Sequence, residues 1–239
     1  MTPTAHPSPS FGPRRDGARP DIVVLHHTAM GDAGAALERL CDPGIEVSAH
    51  YLIARTGEVY QLVDEEQRAW HAGAGAWGAV ADVNSRSIGI ELDNTGAQPF
   101  SAPLMAALEA LLPDILRRWS IPPERVIAHS DLAPSRKCDP GPRFDWRRLA
   151  RQGLSVWPLL TGAPAQPPSG EKGLAATDER AFLSAARRFG YREAGQAPLL
   201  QAFRLRFRPW AEGPLTVQDL AAIDDLAGRF PVDRTGASA

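Results

Sequence analysis

The run DIVVLHH (21–27) is apolar on both faces that a β-strand presents, and no other stretch constrains the fold so strongly. Side chains alternate across a strand, so Ile22, Val24 and His26 share one side while Val23, Leu25 and His27 share the other. A strand with aliphatic residues on both sides belongs at the centre of a sheet covered above and below. SIGIEL (87–92) and RVIAH (125–129) read as further buried strands, and HYLIAR and GEVYQLV flank Thr56-Gly57 as a hairpin with a tight turn. Helical spacing runs through GAALERLC (34–41), through Ser101 to Ser120 with a late interruption at Pro113, and resumes at DWRRLARQG. Strands mixed with helices, one hairpin among them, predict an α/β fold: a mixed central β-sheet flanked by helices.

Composition changes near Trp157. The stretch PLLTGAPAQPPSGEKGLAATD (158–178) is Pro, Gly, Ala and small polar residues, too little apolar surface for a core. It predicts a linker over 159–177 between a first domain, 1–158, and a small C-terminal helical module, 178–232. Three helices are expected there, about Asp178 to Phe189, Pro198 to Phe207 and Val217 to Phe230, with Thr177 and Thr216 as N-caps. The pattern leaves two arrangements open, a separate module or an extension packed back on the first domain.

With a formal net charge of −2 and basic residues gathered only locally, as at Arg204, Arg206 and Arg208, nucleic acid is not an expected partner. No transmembrane segment is expected, and the N-terminus lacks a hydrophobic signal core; as the sequence stands it predicts a cytoplasmic location, a periplasmic one requiring an export signal on a natural precursor. Two cysteines, Cys41 and Cys138, make no disulfide framework and are read as free thiols. A monomer is expected.

Chemistry is concentrated in the first domain. AHSDLAPSRKCDPGP (128–142) stiffens a charged loop with Pro134, Pro140 and Pro142, which suggests that His129, Lys137 and Asp139 are held in place. On SIGIE, Gly89 and Glu91 share a face, so a carboxylate stands beside a residue with no side chain; burial would raise its pKa toward that of a general base. His26 or His27, with His129 and Asp139, gives two imidazoles and a carboxylate from separate elements. That set, with Glu91 unattached, matches a catalytic zinc site of three protein ligands and an open fourth position. Alternation does not choose between His26 and His27, and the local H-E-x-x-H and C-x-x-C signatures are absent.

VLHHTA, SAHYLIARTGEVYQLV, RAWHAG, NSRSIGIEL and AHSDLAPSRKCDPGPRFDW, taken in order, resemble the motifs of the zinc-dependent N-acetylmuramoyl-L-alanine amidases of the AmpD/AmiD type, which share the fold of the peptidoglycan recognition proteins. The resemblance covers roughly residues 8 to 158; the C-terminal segment is similar, more loosely, to the helical peptidoglycan-binding module of longer members. It implies His26, His129 and Asp139 as ligands of one Zn²⁺ per chain, Glu91 as the catalytic acid and base, and Lys137 as the cation beside the reacting carbonyl. It implies a substrate-facing groove at Trp70 and His71, and a supporting role for His50. The reaction implied is hydrolysis of the amide between N-acetylmuramic acid and L-alanine in peptidoglycan or muropeptides. His27 stands where relatives often carry Tyr. Some proteins of this fold lack a ligand and only bind peptidoglycan, the alternative kept here; every ligand position of this chain is filled.

Overall fold

The computed structural model describes residues 2–160, 176–192 and 195–232. In chain order the elements are β1 (Thr4–Ala5), β2 (Phe11–Pro13), β3 (Ile22–His27), α1 (Ala33–Leu40), β4 (Tyr51–Ile53), β5 (Val59–Gln61), β6 (Gln67–Ala69), α2 (Val83–Arg86), β7 (Ser87–Leu92), α3 (Ala102–Trp119), β8 (Val126–Ala128), α4 (His129–Leu132), α5 (Trp146–Arg151), α6 (Ala176–Phe189), α7 (Gln196–Phe207) and α8 (Val217–Arg229). Six strands form one mixed sheet in the order β1-β5-β4-β7-β3-β8. The hairpin partners β4 and β5 run antiparallel, whereas β4, β7, β3 and β8 are mutually parallel. Gly57 takes the hairpin turn at φ 102°, a conformation that a side chain disfavours.

The alternation read from DIVVLHH decides what covers each face. Val23 and Leu25 join Ile88, Ile90 and Val126 under the apolar stripe of α3 and under Trp146 and Leu149 of α5. Ile22, Val24 and Ile127 face the other way, into Phe182, Phe189, Phe203 and Phe207 of the C-terminal helices. On the same side, nearer β4, Leu52 packs with Ala36 and Leu40 of α1. Ser101 caps α3 by accepting from Leu104 N–H at 3.3 Å, and Ser120 closes it in the left-handed conformation. The expected interruption at Pro113 does not occur. Pro113 lies inside α3, which continues to Trp119: Leu108, Leu111, Leu112 and Ile115 are buried on both sides of it, and this packing outweighs one missing N–H.

Thr216 caps α8 in a reciprocal box with Asp219, as its spacing predicts. Thr177 lies within the first turn of α6 instead of before it, since the helix begins at Ala176. The expected linker, from Thr161 to Ala175, falls outside the described residues.

The local Arg cluster turns inward. Arg204 and Arg208 pair with buried Asp219, and Arg206 donates to Asp131 at 2.6 Å and to the Val126 carbonyl at 2.8 Å. Tyr191 O–H donates to the second Asp131 oxygen at 2.6 Å, and Asp131 itself accepts the Ala128 N–H at 2.8 Å. Asp131, Tyr191 and Arg206 are fully buried, so each charge depends on the other residues. Arg206→Ala is expected to destabilise the protein by about 3–5 kcal/mol, the usual cost of leaving a buried charge unpaired, as read from denaturant midpoints.

Candidate active site

Strand pairing builds the first half of the site. β3 and β7 pair in parallel with His26 opposite Glu91, so both side chains leave the same face at the C-terminal ends of adjacent strands. Leu52 pairs on the far side of Glu91. The second half comes from the stiff loop. β8 ends at Ala128, α4 begins at His129, and the chain returns until Ser130 N–H donates to the Asp139 carbonyl at 3.1 Å. Asp139 thereby sits beside His129 although ten positions separate them.

Three atoms converge. His26 Nδ1 lies 2.9 Å from His129 Nδ1, and each is 3.0 Å from Asp139 Oδ2. His129 Nε2 lies 2.9 Å from the carbonyl of Ala72, which only accepts, so Nε2 carries a proton, and in the neutral ring Nδ1 turns a lone pair toward the carboxylate. Burial, then the neighbouring His129, lowers the His26 pKa to about 4, so this ring is neutral near pH 7. A lone pair and a carboxylate oxygen at hydrogen-bond distance, both buried, repel unless a proton or a metal cation lies between them. Two imidazoles and a carboxylate are the donor types of a catalytic zinc centre, and among the described residues they form the one such cluster. The residues fit the metal.

Glu91 stands beside this cluster without joining it. Its Oε2 is buried without a hydrogen-bond partner. Burial, reinforced by the charge of Asp139 and opposed by Lys137, pushes its pKa up to about 8. A cavity of about 370 Å³ opens over the group, lined by Trp70, His71, Glu91, Lys137, Cys138 and Asp139 among others. Lys137 and Trp70 are half-buried at its wall.

His27 faces away from the ligand cluster. It is half-buried, its Nδ1 has no partner, and its ring fills the space over Gly96, where a Cβ would come 2.8 Å from Nε2. His50 accepts the Gly89 N–H at Nδ1, 2.9 Å, and reaches the Gln67 carbonyl at 3.1 Å, which ties β7 to β6, a strand outside the main sheet. His71 is not free in the groove: its Nδ1 lies 3.0 Å from His26 Nε2 and its Nε2 3.1 Å from Ser87 Oγ. Sequence reasoning passed over Ser87 and Asn84. Ser87 shares a face with Gly89 and Glu91 by alternation, a usable signal; Asn84, which accepts from the backbone N–H of both His71 and Ala72, had none.

Comparison with known proteins agrees with this geometry. Residues 16–142 match the N-acetylmuramoyl-L-alanine amidase family. The chain is 37% identical over 220 residues, 79% of its length and 75% of the relative's, to the N-acetylmuramoyl-L-alanine amidase AmiD of Escherichia coli. It is 35% identical over 160 residues, 60% of its length and 86% of the relative's, to the 1,6-anhydro-N-acetylmuramyl-L-alanine amidase AmpD of Enterobacter cloacae. The structure of E. coli AmiD with anhydro-N-acetylmuramic acid-L-Ala-D-γ-Glu-L-Lys superposes with a TM-score of 0.79 at 34% identity, covering 95% of this chain and 93% of that one. AmpDh3 of Pseudomonas aeruginosa with an anhydromuramic pentapeptide gives 0.75 at 31% identity, over 91% and 95%. An α/β sheet whose strand ends gather two histidines and an aspartate that could hold a metal ion, beside an isolated glutamate, defines a class of hydrolases. This chain belongs, within that class, to the N-acetylmuramoyl-L-alanine amidases.

Because His26 and His27 leave opposite faces of one strand, they are not interchangeable. Metal analysis of the purified variants is expected to find no stoichiometric metal in His26→Ala and one ion per chain in His27→Ala.

Proposed function

We propose that this chain is a zinc-dependent N-acetylmuramoyl-L-alanine amidase that hydrolyses the amide between the lactyl group of N-acetylmuramic acid and L-alanine in peptidoglycan or its muropeptide fragments. The observation that carries the reading is the convergence of His26 Nδ1, His129 Nδ1 and Asp139 Oδ2 beside a carboxylate, Glu91, that has no partner of its own. The muropeptides named in the two related complexes are consistent with a substrate of this class.

His26, His129 and Asp139 would hold the zinc, which when bound would supply Lewis acidity toward the amide carbonyl and water. Glu91 takes the proton of the attacking water and returns one to the departing nitrogen of L-alanine. Its unpartnered oxygen is free for that exchange. The Lys137 ammonium lies close enough to act on the charge of Glu91 and His26, and stabilises negative charge on the carbonyl oxygen. Trp70, half-buried at the cavity wall, offers a flat apolar face to sugar or peptide. No helix among the described residues is long and apolar enough to cross a membrane. The protein acts as a monomer with one metal per chain.

The five residues of the reaction centre, His26, Glu91, His129, Lys137 and Asp139, precede 158, and the proposed division of the chain at 159–177 is one of chemistry. Helices α6 to α8 serve first as a cover for Ile22, Val24 and Ile127. A chain ended at Leu160 is therefore expected to lose melting temperature, soluble-muropeptide turnover and sacculus binding together. Selective loss on sacculi would instead make 178–232 a separable wall-binding module.

Glu91→Gln keeps the shape and removes the base, so turnover of a muramoyl-peptide is expected to fall about a hundredfold or more with zinc retained. The sign on stability is opposite. A carboxyl whose pKa is raised by burial stabilises the fold while protonated and loses that contribution as pH rises from its ordinary value toward about 8. Melting curves of Glu91→Gln against the parent are expected to diverge in the variant's favour across that range. A zinc-loaded protein that binds muropeptide without cleaving it would place the chain with the non-catalytic binders.

Lys137→Met is expected to lower kcat by about 10²-fold or more, as loss of an oxyanion partner does, with little change in metal content. Steady-state kinetics and metal analysis check it together.

A further inference from the structure

We propose that the segment His71–Ala72 sets the proton positions on both histidine ligands, which makes His71 a positioning residue for the metal and not a substrate contact. The proposal rests on the reading of His26, His129 and Asp139 as a zinc site.

Hydroxyl protons decide the first ligand. Ser87 Oγ lies 2.6 Å from the Val83 carbonyl, a group that only accepts, so the single hydroxyl proton of Ser87 is spent there. Toward His71 Nε2, 3.1 Å away, Ser87 can then only accept. His71 accordingly carries its ring proton on Nε2 and a lone pair on Nδ1. That lone pair faces His26 Nε2 at 3.0 Å, which must donate. His26 is left with a bare Nδ1 aimed at Asp139 and His129. The next residue does the same for the second ligand, since the Ala72 carbonyl takes the His129 Nε2 proton at 2.9 Å.

The segment that performs both tasks is itself held. Asn84 Oδ1, on a side chain that is 8% exposed, accepts the His71 N–H at 3.1 Å and the Ala72 N–H at 2.9 Å. The imidazole of His71 occupies the space that Gly89 leaves: a Cβ at position 89 would lie 2.4 Å from His71 Cγ. An imidazole binds a metal only through an unprotonated nitrogen, and residues that fix the proton on the other nitrogen typically account for about 10–100-fold in metal affinity.

The test uses the zinc-loaded protein, with zinc retention against a competing chelator as its readout. His71→Phe fills the same space without an acceptor and is expected to hold zinc about 10–100-fold less tightly. His71→Asn places an oxygen where Nδ1 stood and is expected to retain zinc more like the parent than like His71→Phe. Nitrogen-15 NMR of the parent's histidines should find the His71 proton on Nε2. Zinc held as tightly by His71→Phe as by the parent, together with a raised KM, would restore the substrate-contact role and overturn the proposal, as would a His71 proton on Nδ1. Should His71→Phe fail to fold, Ser87→Ala takes its place: faster zinc loss supports the relay and an unchanged rate overturns it. A parent protein that binds no zinc would defeat the metal-site reading itself, a different result from any of these.

Discussion

In-register parallel pairing between Ile22–His27 and Ser87–Leu92 places His26 beside Glu91, and the rest of the site is arranged around that pair. Side chains alternate, so a slip of one residue on either strand would send one of the two to the opposite face of the sheet. The register is held by what each face buries. Ile88 and Ile90 pack under α3 while Ser87, Gly89 and Glu91 take the other face, so a slip of Ser87–Leu92 would turn the polar residues into the apolar cluster and drive an aliphatic side chain into the space His71 fills over Gly89. Burying Val, Leu or Ile contributes roughly 1.5–3 kcal/mol for each side chain. The geometry of the candidate site at the strand ends is thus secured by apolar packing lower in the sheet.

A second, polar layer supports the loop that brings the remaining ligands. Asp131, two residues after His129, receives Arg206 from α7 and Tyr191 from the end of α6, and it also accepts the Ala128 N–H at the point where β8 gives way to α4. The C-terminal helices therefore reach the ligand loop through a buried ion pair as well as through their shared apolar cluster with the sheet. On the opposite side of the cluster, Asn84, His71 and Ala72 brace the two imidazoles. Lone pairs that would repel one another are held in place from behind, an arrangement suited to a cation in front.

Much of the fold was legible because its periods are strong. The central strands, the hairpin, the long helix and the three C-terminal helices follow from alternation, helical spacing and capping residues that act locally. The exceptions are instructive. Pro113 marks a break by its local chemistry, yet α3 continues because the packing on both sides of it is worth more than the lost hydrogen bond. Arg204, Arg206 and Arg208 stand out in the sequence only as a local gathering of basic residues, and they are buried against Asp131 and Asp219, which lie too far along the chain, or in the wrong direction, for any local pattern to pair them. His71, a groove residue by its motif, lines the cavity with a ring that is also engaged at both nitrogens, contacts that no local pattern carries.

By itself the sequence determined which stretches supply the residues of the candidate site: the strand that bears His26, the carboxylate beside Gly89, and the proline-stiffened loop around His129, Lys137 and Asp139. Each of these is a statement about neighbours in the chain, governed by alternation, glycine and proline. Tertiary structure alone decided which nitrogen of each imidazole turns inward, that Glu91 is left without a partner, and that the C-terminal helices close one face of the sheet. Those depend on groups dozens of residues apart meeting at about 3 Å, the range over which a hydrogen bond has direction, and nothing in a linear pattern carries that distance.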